Sequence, residues 1–205
     1  PEVVKKRIPI LLEGTTVKSL KIKLGSVDGI QADKSMFEQV VKSTKNYNVK
    51  IRVDANGGWN IADAKHMMQW LADQGVDYVE QPLKEGEEFN LEELYENRPV
   101  PIYLDETCRF SENISSFAHC VDGVNMKLMK CGGITEALKI IKTARKYKLK
   151  TMIGCMSESS VSIAAAAALS GGIDHIDLDS HYNLAPDPST GCLLYTSDAA
   201  DEDLR

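Results

Sequence analysis

Three mostly apolar runs in this chain each end in a carboxylate, and no other feature of the sequence constrains the fold as tightly. They are Ile51-Arg52-Val53-Asp54, Tyr78-Val79-Glu80 and Ile102-Tyr103-Leu104-Asp105, with the acids at positions 54, 80 and 105, 26 and then 25 residues apart. Each interval also holds one helical pattern. That rhythm predicts consecutive βα units, whose strand ends gather at one face of a parallel sheet or barrel. Three carboxylates meeting there form a hard, all-oxygen donor set for a divalent cation. No His or Cys shares these positions, so the set suits magnesium better than zinc.

The remaining chain continues the alternation. Strands are expected at 19–25, 50–55, 78–81, 102–105, 123–127, 151–155 and 174–179, and helices at about 33–47, 60–74, 91–97, 112–118, 134–147 and 160–169. The buried stripes should be Ile61, Ala64, Met68 and Leu71 on the second helix, and Ile134, Leu138, Ile141 and Ala144 on the fifth. Asn90 with Glu93 reads as an N-cap with a returning acid. Residues 7–12 read as one more strand, with Pro9 confined to an edge or a strand start. Its link to Ser19 is too short for a parallel crossover. Eight strands alternating with helices, and no Gly-rich phosphate turn after an early strand, predict an α/β fold of the (β/α) TIM-type barrel kind over an open doubly wound sheet. Residues 1–18 are then a truncated or atypical start, 19–191 the barrel catalytic domain, and 192–205, which follow neither period, a non-native adapter-derived tail.

Composition narrows the function classes. A net charge of −6 over 205 residues gives no reason to expect nucleic acid or an anionic membrane as partner. No apolar run reaches membrane-spanning length. Five cysteines, an odd number with no CxxC spacing, point to a reduced, cytoplasmic setting. The four histidines have no ligand partners at useful spacing, and Trp59 and Trp70 are not interleaved with a basic patch.

Two sets of lysines carry the chemistry. Lys21 and Lys23 lie two apart on a strand, so both ammonium groups project from one face, while Leu20, Ile22 and Leu24 take the other. A pair of that kind is ordinarily a solvated edge. Here the apolar neighbours turn the lysines inward, where like charges lower each other's pKa and make a usable general base. Lys127 ends a strand 22 residues after position 105, one unit further on, and would face Lys23 from the opposite wall of a barrel mouth. Lys130 lies past the strand and reads as a charge near a helix N-terminus.

Taken together, Lys21-x-Lys23, Asp54-Ala55-Asn56, Glu80-Gln81-Pro82, Asp105-Glu106-Thr107 and Lys127-x-x-Lys130-x-Gly132-Gly133 resemble the enolase superfamily in order and spacing. The resemblance covers roughly residues 20–191 and is strongest to the muconate-cycloisomerase-like subgroup, in particular to dipeptide epimerases of the L-Ala-D/L-Glu type. It implies Mg²⁺ held by Asp54, Glu80 and Asp105, with Asn56 and Glu106 behind these ligands. It also implies Lys23 and Lys127 as the acid/base pair, and Lys21 tuning Lys23 and touching the substrate carboxylate. Asp177-Leu178-Asp179 resembles the pair that receives a substrate α-ammonium, and Met156 and Ser157 would line the pocket. The implied function is Mg²⁺-dependent epimerisation of a dipeptide by 1,1-proton transfer at the α-carbon next to the bound carboxylate. Alternatives are an o-succinylbenzoate synthase or muconate cycloisomerase type of reaction, or a non-catalytic barrel binding metal and anion. Members of the family carry a capping domain built from both chain ends, so an isolated fragment without it is expected to be weakly active or inactive. The full-length protein is expected to be a homo-oligomer.

Overall fold

The computed structural model describes residues 2–13, 17–180, 184 and 186–189. They fall into two compact units, 1–107 and 108–205, each built from parallel strands alternating with helices. The alternation of apolar runs and helical patterns therefore reappears as βα units in both. Residues 192–205 lie outside the described part.

In the first unit, helix α1 (Glu2–Leu12) precedes β1 (Ser19–Lys23), α2 (Ile30–Thr44), β2 (Lys50–Asp54), α3 (Ile61–Asp73), β3 (Val79–Glu80), α4 (Leu91–Glu96) and β4 (Ile102–Leu104). Each strand pairs in parallel with the next in sequence. Val53, Val79, Ile102 and Leu104 are buried in the sheet, and Ala64, Met67, Met68 and Leu71 of α3 are wholly buried. The Val, Ile, Leu and Met side chains among them each contribute roughly 1.5–3 kcal/mol on burial. Parallel strands covered on both faces read as continuous apolar runs, which is why these strands are legible.

The loops beyond β1 and β2 are tied together by one buried acid. Asp33, in the first turn of α2, accepts from the Gly25 N–H (3.0 Å), the Ser26 N–H (2.9 Å) and the Trp59 indole N–H (2.9 Å). The loops touch at two glycines: a Cβ on Gly58 would lie 2.4 Å from the Gly25 Cα, so only glycine fits there.

Two expectations in this unit are corrected. Residues 7–12 belong to a helix. Ile8, Ile10 and Leu12 would share one face of a strand, yet Ile8 and Leu12, four apart, are buried while Ile10 is 74% exposed. That is helical spacing, and it packs α1 against α2. Asn90 makes no side-chain cap bond on α4, because a 3-10 turn (Glu88–Asn90) leads into the helix and Glu93 pairs with Lys65 of α3.

The second unit contains α5 (Ile114–Phe117), β5 (Gly123–Lys127), α6 (Leu128–Cys131), α7 (Ile134–Lys146), β6 (Lys150–Gly154), α8 (Ser160–Ala167) and β7 (His175–Ile176). Its strands pair in parallel in the order β5-β6-β7. The stripe on α7 is rotated from the expected one: Ala137, Ile140, Ile141 and Ala144 are buried, whereas Ile134 and Leu138 are about half exposed. The small residues Ala137 and Ala144 let the helix approach, and the larger Ile134 and Leu138 lie on the flank. The last strand is shorter than expected. Asp174 stands before it, and its carboxylate accepts from the N–H of Thr151 (2.9 Å) and from Lys150 (2.8 Å). Partial burial pushes the Asp174 carboxyl up, but the bonds from Lys150 and Thr151 outweigh it and hold the group below its ordinary value. Among the described residues, no helix is long and apolar enough to cross a membrane.

Glu136 fastens α7 to the 3-10 turn Ser111–Asn113. Its Oε1 accepts from the Ser111 hydroxyl (2.6 Å) and the Ser111 N–H (2.8 Å). Led by the hydroxyl bond, these contacts lower the Glu136 carboxyl from 4.5 to about 2. A carboxyl depressed in the folded state adds stability above its unfolded value, and that stability is lost as pH falls through the folded value. Ser111→Ala is therefore expected to cost about 1 kcal/mol at neutral pH. In thermal melts the deficit should shrink between pH 4.5 and about 2 as Glu136 protonates; a deficit independent of pH across that window would contradict the assignment.

Candidate active site

The first unit assembles the acid cluster through strand register. Lys23 lies opposite Asp54 across β1 and β2, and Asp54 opposite Glu80 across β2 and β3. Glu80 pairs with Tyr103 of β4, and Asp105 follows two residues later. Asp54, Glu80 and Asp105 each offer an oxygen, and these atoms lie within 4.8 Å of one another. The three residues are 0%, 0% and 1% exposed. Buried carboxylates this close repel strongly unless positive charge stands among them. Lys21 Nζ supplies part of it at 3.0 Å from Glu80 Oε2, and Lys23 pairs with Asp54 Oδ2. An all-oxygen, buried, three-carboxylate donor set fits a hard divalent cation such as Mg²⁺. Lys21 is nearly buried, with 9% of its side chain exposed, against 58% for Lys23. The lysine beside Asp54 is thus the accessible one of the pair.

Two residues brace the acids. Asn56 has a left-handed φ of 46°, which asparagine tolerates better than most residues. From there its N–H donates to Asp54 Oδ1 (2.9 Å) and its amide to Asp54 Oδ2 (3.2 Å) and Glu106 Oε1 (3.3 Å). Gln81 is the residue that sequence reasoning misses. It is 2% exposed and also has a positive φ, 39°. Its Oε1 accepts from the Asp105 N–H (3.0 Å), and its Nε2 donates to Thr107 Oγ1 (2.8 Å) and the Leu83 carbonyl (2.9 Å). The one signal for it in the sequence is an amide placed directly after Glu80 and before Pro82.

In the second unit, Lys127 ends β5 and is 5% exposed. It is in register with Gly154 of β6. A Cβ on Gly154 would lie 3.2 Å from Lys127 Cε and 2.9 Å from the Asn125 amide, so the glycine leaves the space that the lysine chain occupies. Lys130 lies in α6 and its ammonium donates to the Asn125 carbonyl (2.7 Å), back along β5. The strand expected over 174–179 is assigned only at His175–Ile176, so Asp177 and Asp179 follow it directly. Asp177 is half-buried, its N–H donating to the Ile153 carbonyl (2.9 Å) and its carbonyl accepting from Cys155 Sγ (3.3 Å). Asp179 is exposed.

Met156 and Ser157 are exposed in the turn after β6. Glu158, 2% exposed, shapes that turn by accepting from the Met156 N–H (2.9 Å) and from the Ser162 hydroxyl. Its own N–H donates to Ser180 Oγ (3.3 Å), which joins the turn to the segment following Asp179. Asp187, which no motif singles out, accepts from the Ser160 N–H (2.9 Å) at the start of α8. Its carboxyl is held below the ordinary value, first by the Ser189 N–H.

Residues 8–203 match the family described as Enolase C-terminal domain-like. A hydrophobic dipeptide epimerase of a Flavobacteria bacterium is 75% identical over 194 residues, covering 95% of this chain and 56% of that protein. One from Roseobacter litoralis is 56% identical, covering 93% and 55%. The chain thus spans just over half the length of these curated relatives. Among solved structures, the Enterococcus faecalis dipeptide epimerase complexed with Mg and L-Leu-L-Tyr aligns with a TM-score of 0.84 at 35% identity, over 93% of this chain and 54% of that one. Parallel βα units, the carboxylate cluster at their strand ends and these matches lead to one conclusion: the chain belongs to the enolase C-terminal domain-like family.

Proposed function

We propose that this protein epimerises dipeptides by moving the proton on the α-carbon beside the terminal carboxylate. The observation that carries the reading is the cluster of Asp54, Glu80 and Asp105, buried and within 4.8 Å, with Lys21 and Lys23 paired to two of its members. In this reading the three acids hold Mg²⁺. A divalent cation there supplies Lewis-acid stabilisation of the negative charge that builds on a substrate carboxylate when the neighbouring carbon loses its proton.

The chain's own residues do the rest. Lys21 steadies Glu80 and offers positive charge to the substrate carboxylate. Lys23 and Lys127 are the two acid/base groups, one taking the α-proton and the other returning one. Both emerge from strand ends, which hold a reacting group more rigidly than a loop would. Asp177 and Asp179 receive the α-ammonium, and Met156 and Ser157 line the side-chain pocket. Apolar dipeptides are the favoured substrate class, supported by the relatives at 75% and 56% identity that are named hydrophobic dipeptide epimerases.

The test is α-deuterium incorporation by the full-length protein in D₂O with Mg²⁺ and an apolar L,L-dipeptide, followed by NMR. Exchange accompanied by the second epimer is the expected result, and its absence would overturn the reading. Asp177→Asn combined with Asp179→Asn should raise KM for the dipeptide about tenfold or more, since each carboxylate–ammonium contact is a charge-assisted bond worth more than a neutral one. An unchanged KM would remove these acids from ammonium recognition.

A further inference from the structure

Gln81 is tied to all three segments that carry the carboxylates, to one by the chain itself and to two by hydrogen bonds. Its N–H donates to the Tyr103 carbonyl (2.8 Å) of β4, and its carbonyl accepts from the Gly57 N–H (2.8 Å) in the loop after Asp54. It follows Glu80 directly, and its side-chain oxygen accepts from the N–H of Asp105 (3.0 Å) and that of Thr107 (3.4 Å). Both donor positions of the amide are also used, on Leu83 and Thr107. Thr107 is itself anchored, its hydroxyl donating to Glu88 Oε1 (3.0 Å). A primary amide has two acceptor and two donor valences, and here all four are met by groups fixed in the fold. The backbone meanwhile adopts φ 39° at a non-glycine residue, a conformation that persists only where its surroundings over-determine it.

We propose that Gln81 is a positioning residue that sets the spacing between the Glu80 and Asp105 carboxylates, and through it the preference of the centre for a small cation over a larger one. The proposal rests on the reading that Asp54, Glu80 and Asp105 hold a divalent cation. Mg²⁺ requires near-octahedral ligands at about 2.0–2.1 Å, whereas Ca²⁺ accepts flexible geometry at about 2.3–2.6 Å. Loosening the tie between the ends of β3 and β4 lets the two carboxylates separate, which Mg²⁺ tolerates poorly and Ca²⁺ tolerates well. A residue that only stabilised the fold would weaken both ions alike.

The experiment is calorimetric titration of this chain with MgCl₂ and with CaCl₂, since every residue concerned lies within 54–107. Gln81→Ala is expected to raise the Kd for Mg²⁺ about tenfold or more, the usual consequence of removing a group that orients a metal ligand. The Kd for Ca²⁺ should rise less than about threefold, because the larger ion adapts to displaced ligands. Gln81→Gly should behave like Gln81→Ala although it relieves the positive φ, which assigns the effect to the amide. Thr107→Val, which removes one acceptor of the amide, should give an intermediate loss that vanishes in combination with Gln81→Ala, because the two act through one contact. If Gln81→Ala does not fold by circular dichroism, Thr107→Val carries the comparison. Equal losses for both ions, or an unchanged Mg²⁺ affinity, would overturn the proposal alone. A wild-type chain that binds neither ion would overturn the metal reading and the proposal with it.

Discussion

Glu80→Gln is expected to abolish the rise in melting temperature that MgCl₂ produces in the wild-type chain, and to lower α-deuterium incorporation by the full-length protein about a thousandfold. The substitution keeps the shape of a side chain that is fully buried. The amide oxygen can still accept from Lys21, which stands 3.0 Å from the carboxylate oxygen it replaces, so the fold should survive. What disappears is one formal charge out of a three-carboxylate donor set. A ligand present at a hundred times its Kd stabilises the folded state by about 2.7 kcal/mol, and that increment is what the variant should lack. The kinetic loss follows from the same contact: Lewis-acid stabilisation is worth several kcal/mol, and about 1.4 kcal/mol is a factor of ten in rate. Melts with and without Mg²⁺ separate this from simple destabilisation, which would lower both curves equally. A variant that retained the full Mg²⁺ shift would remove Glu80 from the metal centre.

Lys23→Ala and Lys127→Ala should fail in complementary ways. If one lysine serves each face of the α-carbon, each variant loses deuterium exchange from one epimer of the substrate, by about 10²–10⁴-fold, and keeps exchange from the other. The assay follows the L,L- and L,D-dipeptides separately in D₂O. Lys23 is 58% exposed, but it pairs with the buried Asp54, which keeps only the two bonds from Asn56 in the variant, so a melting curve must accompany its kinetics. The same holds for Lys127, which is 5% exposed. Loss of exchange from both epimers in one variant, with none in the other, would replace the two-base scheme with a single base.

The parts of the molecule that are legible in the sequence are those governed by local period. Buried parallel strands carry unbroken apolar runs, and a carboxylate closing such a run falls at a strand end by periodicity alone. Asp54, Glu80 and Asp105 are visible on that ground. Ambiguity arises where two periods fit one stretch. Ile8, Ile10 and Leu12 satisfy alternation as well as helical spacing, and only packing against α2 decides between them. Ile134 and Leu138 lie on an apolar stripe of α7 no less regular than the buried one, and the approach through Ala137 and Ala144 selects the face. The strand expected over 174–179 is paired only at His175–Ile176, because strand length depends on the neighbouring strand and not on the local period.

By itself the sequence determined the order of βα units, the strand-end positions of the three acids and the common face of Lys21 and Lys23, because each follows from backbone periodicity within a few residues. Only the tertiary structure decided how those acids are held. The amide of Gln81 reaches Asp105 and Thr107, 24 and 26 positions away, and Asn56 reaches Glu106 across 50. Bonds between residues so far apart have no period to betray them. They exist because parallel register sets neighbouring strand ends side by side, where a buried polar group must find a partner or carry the full cost of its desolvation.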